Sequence, residues 1–359
     1  MDLNLLRTLL SNLSVPNSRR TIGSDKAIAD IRHENNHVYV DLRFPYPILH
    51  LANILKEAIQ AALIPHIGGN SLHLQLDSRI ETHKVQQGVA TISGVKNIIA
   101  VGSGKGGVGK STVSANLAVA LQRMGARVGV LDADIYGPSQ PTLFGVAANR
   151  PTQENGKLIP IATENGIQVM SIGFLVNTDQ AMIWRGPMVS QALQQLLFQS
   201  QWDNVDYLII DLPPGTGDIQ LTLSQKIPVT GAVVVTTPQD LALIDARKAI
   251  DMFNKVNIPI FGVLENMSTH ICSQCGHIEP IFGEGGGKRL SEKLNVPLLG
   301  QLPLTLAVRE AMDAGEAVAL QQNNAAVAQA FEDAAWILVQ TIADKSKDFS
   351  KHFSKIVVE

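Results

Sequence analysis

Ala100-Val-Gly-Ser-Gly-Lys-Gly-Gly-Val-Gly-Lys-Ser-Thr112 is the stretch whose reading decides the fold. The apolar run Asn97–Val101 reads as a buried parallel strand, and Ser114–Leu121 has the apolar spacing of a helix. Strand, glycine-dense turn and helix are the context of a phosphate-binding loop, and Gly104–Ser111 fits G-x-x-x-x-G-K-[ST] without a gap. Glycines let successive backbone N–H groups point at a polyphosphate, and the helix N-terminus adds partial positive charge. In this reading Gly104, Gly106, Gly107, Val108, Gly109 and Thr112 surround ATP, Lys110 reaches its β/γ-phosphates and Ser111 ligates Mg²⁺. The overlapping Gly102-x-Gly104-x-x-Gly107 also matches a dinucleotide fingerprint, but that pattern leaves Gly-Lys-Ser unexplained.

Composition bounds the rest. At 359 residues the chain is long enough for two to three domains, and 45% apolar with 17% charged residues describes an ordinary soluble globular protein. A net charge of −3 gives no basic footprint for nucleic acid. No apolar run approaches the roughly 20 residues of a membrane span, and Met1–Arg7 lacks a basic-then-apolar signal pattern. Two cysteines make no disulfide framework, so a reducing cytoplasm is the expected compartment.

Working outward, residues 1–80 read as a small α+β domain in the order α-β-β-α-β. Helical leucines (Leu3, Leu6, Leu10, Leu13) precede a hairpin of Ala27–His33 and His37–Phe44, a helix over Ile48–Leu63 and a strand carrying Leu72, Leu74 and Leu76. Its scattered histidines (His33, His37, His50, His66, His73) read as ordinary surface or core residues. Residues 81–96 read as a linker. Over 97–344 near-continuous apolar strands alternate with helices, the pattern of a mostly parallel, doubly wound α/β sheet covered on both faces. Turn signals at Glu154-Asn-Gly and Glu164-Asn-Gly place an inserted hairpin in 149–175.

Acids end two of the predicted strands. Asp211 closes Tyr207–Ile210 and precedes Leu-Pro-Pro-Gly-Thr-Gly-Asp218, the position from which a carboxylate holds Mg²⁺ beside a phosphate loop. Gly215 and Gly217 would let that loop respond to the γ-phosphate. Asp132 and Asp134 end Val128–Leu131, and Asp134 is placed to orient or deprotonate the attacking water. Lys105, a second lysine inside the loop, asks for a reason of its own. Lys105-Gly-Gly-Val-Gly-Lys-Ser-Thr112 resembles the deviant Walker-A motif of the MinD/ParA and nitrogenase-iron-protein class of dimeric P-loop NTPases. The resemblance implies that Lys105 crosses to a partner's nucleotide, that Asp134 is the switch I acid and that Asp211 is the Walker-B acid. Hydrolysis would then be coupled to dimer state.

Cys272-Ser-Gln-Cys275 supplies two thiolates, too few to close a tetrahedral site. Thioredoxin-like chemistry is out of place in this fold. A zinc site adding His270 and His277 crowds four ligands into eight residues. A 4Fe–4S cluster shared between two subunits is the third possibility. Gly262–Ser268, Cys-x-x-Cys-Gly-His277, Ile281-Phe-Gly283, Asp132–Ser139 and Asp211–Asp218 together resemble the Mrp (ApbC-like) ATPases over residues 95–320. That resemblance implies a homodimeric iron–sulfur cluster carrier that bridges a 4Fe–4S cluster on paired Cys272 and Cys275. It also implies apo iron–sulfur clients and scaffold proteins as partners, and an adenine contact from Asn266. Residues 1–80 resemble, less closely, the N-terminal domain of such proteins, with Ser14-Val-Pro-Asn-Ser18 standing where an acidic-proline motif is usual.

The tail, 345–359, places Phe349, Phe353, Ile356 and Val357 on one helical face with lysines mostly elsewhere. It keeps a rival in view, a MinD-like membrane-cycling ATPase with a structural zinc or a free C-x-x-C. A nucleotide-gated scaffold with slow hydrolysis is a third class.

Overall fold

The structure, a computed structural model, describes residues 2–86, 89–175, 186–317, 319 and 324–348. They fall into two compact units. One is formed by the described residues of 1–81 with 123–125, the other by those of 82–122 with 126–348.

The first unit runs α1 (Leu3–Asn12), β1 (Ile28–Glu34), β2 (His37–Phe44), α2 (Ala52–Leu63) and β3 (Ser71–Ser78). The Asp2 carboxylate caps α1 by accepting from the N–H groups of Asn4 and Leu5. β2 lies between β1, antiparallel, and β3, parallel. Its alternate residues Val38, Val40, Leu42 and Phe44 are fully buried, as are Leu6 and Leu10 of α1 and Ile59 and Leu63 of α2. Strand and helix periods thus meet in one core. Asn35 and Asn36 make the hairpin turn at φ +49° and +65°, a conformation asparagine tolerates. The helix expected from Ile48 begins instead with a 3₁₀ turn, Leu49–Leu51.

The second unit contains β4 (Val95–Ser103), α3 (Lys110–Arg123), β5 (Val128–Asp132) and α4 (Gln140–Leu143). Four short strands follow: β6 (Thr152–Glu154), β7 (Lys157–Ile159), β8 (Ile161–Ala162) and β9 (Gln168–Ser171). The alternation resumes with α5 (Gly186–Gln199), β10 (Val205–Asp211), α6 (Asp218–Lys226), β11 (Gly231–Thr236), α7 (Asp240–Lys255) and β12 (Ile260–Glu265). Last come β13 (His270–Ile271), β14 (Ile278–Glu279), α8 (Gly286–Leu294), β15 (Leu298–Gln301), α9 (Leu306–Asp313) and α10 (Ala325–Ala343). Among the described residues the large sheet has eight strands in the order β15-β12-β11-β4-β10-β5-β9-β8. Its pairings are parallel except β8 with β9. β5, β10, β11 and β12 are buried along their whole lengths, which explains their unbroken apolar sequences. β4 sits between β11 and β10, so the chain leaves it in the middle of the sheet edge, where open α/β sheets bind ligands.

Three expectations change. The 149–175 insertion is two features: β6 and β7 form the hairpin around Asn155-Gly156, while β8 and β9 extend the main sheet. From residue 82 on, the described part of the 81–96 linker is built into the second unit, with His83 only 2% exposed and hydrogen-bonded through Nδ1 to Asn97 at 2.9 Å. Polar residues that look like linker in sequence are here satisfied by a buried asparagine. The tail begins extended rather than helical: Lys347 bridges to His83, and the Asp348 N–H donates to the Thr82 carbonyl at 2.8 Å. The apolar face assigned to Phe349, Phe353, Ile356 and Val357 lies outside the described residues.

Candidate functional site

The loop between β4 and α3 has the backbone its sequence demands. Gly107 and Gly109 adopt φ of +80° and +78°, a region that glycine enters without steric cost. At Gly109 a side chain is excluded twice over, since a Cβ would lie 2.3 Å from the Asn266 amide nitrogen. Gly104 packs so closely on α7 that a Cβ would meet the Asp245 carbonyl at 2.1 Å.

β10 and β5 pair so that Asp211 lies directly across from Asp132 and, on the other side, from Val101. The two strand-end acids then diverge in environment. Asp211 is fully buried and collects donors: its Oδ1 accepts from Lys110 Nζ and from Ser114 Oγ at 3.0 Å, its Oδ2 from Gln140 Nε2 at 2.8 Å. Lys110 Nζ also lies 4.0 Å from Asp134 and 3.4 Å from Ser111 Oγ. Lys110, Ser111, Asp134 and Asp211 are therefore one cluster.

Asp132 turns inward instead. Its carboxylate accepts from the N–H groups of Asp134, Ser139 and Gln140 and from Ser171 Oγ, all within 2.9–3.1 Å. It winds the 132–140 loop around itself. Burial and the charge of Asp211 push its pKa up to about 7. Asp134, more exposed, is raised by burial, opposed by the Lys110 charge and reinforced by Asp211. A carboxylate raised in this way is a better proton acceptor than an ordinary surface acid.

The loop after Asp211 is tethered to the central strand. Leu212 donates to the Val101 carbonyl at 3.0 Å and Gly215, at φ +101°, to Ser103 at 2.9 Å. Lys105 is half-buried, and its side chain has no hydrogen-bond or ion-pair partner among the described residues.

Asn266, expected at the adenine, donates its side-chain amide to the Val108 carbonyl at 2.9 Å and is 8% exposed. Directly after it Met267 takes φ +56°, and Ser268 is fastened to the Leu302 carbonyl by N–H and Oγ. The chain then enters the small β13–β14 hairpin, whose tip carries the cysteines. Cys272 N–H donates to the His277 carbonyl at 2.9 Å, and Gly276, at φ +71°, closes the turn onto the Cys272 carbonyl. Cys272 is partly exposed and Cys275 exposed. Backbone N–H groups of Cys275 and Gln274, then the Cys275 side chain, hold the Cys272 thiol below its usual pKa. Among the described residues no three His, Cys, Asp or Glu side chains converge as metal ligands, so His270 and His277 are not gathered with the cysteines in this structure. On a two-stranded hairpin they are carried along β13 and past the turn.

The motif reading brought together Lys110, Ser111, Asp134 and Asp211 but missed Ser114 and Gln140. Ser114 was findable, since it stands one helical turn after Lys110 on the same face. Gln140 carries no motif.

A family model described as ParA, NUBPL iron-transfer P-loop NTPase, matches residues 94–339. The chain belongs to that family. Among curated relatives, an iron–sulfur cluster carrier protein of Haemophilus influenzae is 48% identical over 91% of this chain and 89% of its own length. One of Escherichia coli K12 is 51% identical over 85% and 83%. A nucleotide-binding protein of Archaeoglobus fulgidus solved with ADP superposes with TM-score 0.57 at 39% identity, covering 62% of this chain and 88% of that one. The Pyrococcus furiosus cell-division ATPase MinD shares the fold alone, at TM-score 0.50 and 23% identity. Among the described residues no helix is long and apolar enough to cross a membrane.

Proposed function

We propose that this P-loop NTPase binds and slowly hydrolyses ATP, and that a homodimer of it carries a 4Fe–4S cluster to apo-proteins in the cytoplasm. The observation that carries the reading is the exposed Cys272–Cys275 hairpin, six residues along the chain from an asparagine bonded to the phosphate loop. The curated relatives' shared name supports the cargo.

Backbone N–H groups from Gly106 to Ser111 would surround the phosphates, with Lys110 neutralising the β/γ-phosphates. The fully buried Asp211 and the neighbouring Ser111 hydroxyl are hard oxygen donors suited to Mg²⁺. Mg²⁺ would supply charge neutralisation on the phosphates. Lys110 would exchange Asp211 for phosphate when nucleotide enters. Asp134, raised in pKa and beside Lys110, would hold the attacking water and take its proton. Lys105 would complete the partner's site, so turnover would follow dimer closure. Two protomers would give Cys272 and Cys275 each, the four thiolates a cubane cluster requires. The lowered pKa of Cys272 favours its thiolate, the ligating form.

The test is transfer. The protein loaded anaerobically with iron and sulfide is mixed with an apo iron–sulfur dehydratase, and recovery of dehydratase activity is followed with ATP, with ADP and without nucleotide. Recovery beyond that from free iron and sulfide is expected. Recovery no faster than that control would refute carriage.

A further inference from the structure

Gln140 is fully buried and touches three segments of the candidate nucleotide site. Its backbone N–H donates to Asp132 Oδ2 at 3.0 Å, and its side-chain nitrogen donates to Asp211 Oδ2 at 2.8 Å and to the Ser111 carbonyl at 3.1 Å. Both amide protons are thereby used on groups that can only accept. That fixes the side chain's orientation chemically, because the reversed amide would set an oxygen against two oxygens. The same orientation leaves Gln140 Oε1 buried with no hydrogen-bond partner within the chain among the described residues, and the adjacent Ser139 Oγ is in the same condition. A buried acceptor without a donor is costly and uncommon. The amide that carries it is bonded through its nitrogen to Asp211 and to the backbone of Ser111, the pair assigned to Mg²⁺. Mg²⁺ keeps several of its waters when protein-bound, and those waters are strong donors.

We infer that Gln140 is a positioning residue for the magnesium–nucleotide site: it holds the second oxygen of Asp211 against the phosphate loop and offers Oε1 to metal-bound water. The inference rests on the nucleotide reading above. A merely structural glutamine would pin the 132–140 loop and contribute equally with and without metal. A positioning glutamine contributes mainly when Mg²⁺ is present.

The experiment is calorimetric titration of the full chain with ADP, in EDTA and in saturating Mg²⁺, for wild type, Gln140→Met and Gln140→Glu. Methionine keeps the length and the backbone bond to Asp132 but removes both side-chain hydrogen bonds. Glutamate keeps an acceptor, loses both side-chain donor bonds and sets a second carboxylate against Asp211. For Gln140→Met the gain in ADP affinity on adding Mg²⁺ should shrink about 5–10-fold, the worth of one or two hydrogen bonds. Its affinity in EDTA should change less than that. For Gln140→Glu the gain should grow, because the added charge repels its neighbours until metal is present. An unchanged magnesium gain in Gln140→Met, or an equal loss with and without metal, overturns the inference. Should Gln140→Met fail to fold, an unchanged gain in Gln140→Glu overturns it alone. Absence of ADP binding by the wild type in both conditions would instead overturn the nucleotide reading itself.

Discussion

The Asn266 side chain donates to the Val108 carbonyl at 2.9 Å, joining positions 158 residues apart in sequence. One end of this bond belongs to the phosphate loop; the other begins the segment that leads through Met267 and Ser268 to Cys272. A shift of the loop on binding nucleotide therefore has a short route to the cysteine hairpin, through one hydrogen bond and six residues of chain. In Asn266→Ala the bond is lost at a cost of about 1–2 kcal/mol in stability. In wild type, ADP should change the rate at which Cys272 is alkylated by iodoacetamide, read by mass spectrometry. In Asn266→Ala that nucleotide effect should disappear, and its persistence would show another route.

Gly107 and Gly109 share a positive φ but not a neighbourhood. Nothing lies within 4 Å of a Cβ at Gly107, whereas Asn266 stands 2.3 Å from one at Gly109. Gly107→Ala should cost only the strained backbone, about 1–2 kcal/mol. Gly109→Ala should cost more and displace Asn266, reproducing the uncoupling of Asn266→Ala. Denaturant midpoints of the two variants check the order.

The two loop lysines should separate cleanly. Lys110→Ala leaves the buried Asp211 without its cationic partner, so stability should fall by about 3 kcal/mol and nucleotide binding should be lost. Lys105→Ala should melt within about 0.5 kcal/mol of wild type. Its ATP turnover should nonetheless fall about 10²–10³-fold, the usual effect of removing a group that meets developing charge. Equal thermal losses in both would contradict these assignments.

Much of this was written in the sequence, and the part that was not has a common cause. β4, β10 and the acid Asp211 were legible because a strand covered on both faces must be continuously apolar and its terminal acid interrupts that run. The two roles of Asp132 and Asp134 were not, since alternate strand-end residues look alike until the 132–140 loop closes on one of them. Gln140 and Asn266 act through bonds to residues 71 and 158 positions away, separations that no local period encodes. β8 is two residues long and antiparallel, too short to alternate, so nothing in its sequence separates it from the hairpin beside it.

At the opposite end of the sheet from the loop, Asp206 gives an acid-sensitive contact. Burial opposes its ionisation, but hydrogen bonds from Arg127 and Lys96 outweigh that and hold its pKa below the usual range. A depressed pKa adds stability above the unfolded value of about 3.9, lost as pH falls through the folded value. Asp206→Asn should therefore destabilise at pH 7 by about 1–3 kcal/mol, discounted because Arg127 and Lys96 keep contact with water. The gap to wild type should close on acidification below about pH 4. A gap independent of pH would contradict this.

Anaerobic reconstitution with iron and sulfide tests the central claim most directly, comparing wild type with the double variant Cys272→Ala/Cys275→Ala by metal content and visible absorption. About four irons per pair of chains, with the absorption of a 4Fe–4S centre and its loss in the variant, is the predicted result. Equal iron in both proteins, or stoichiometric zinc in the wild type, would contradict the carrier account.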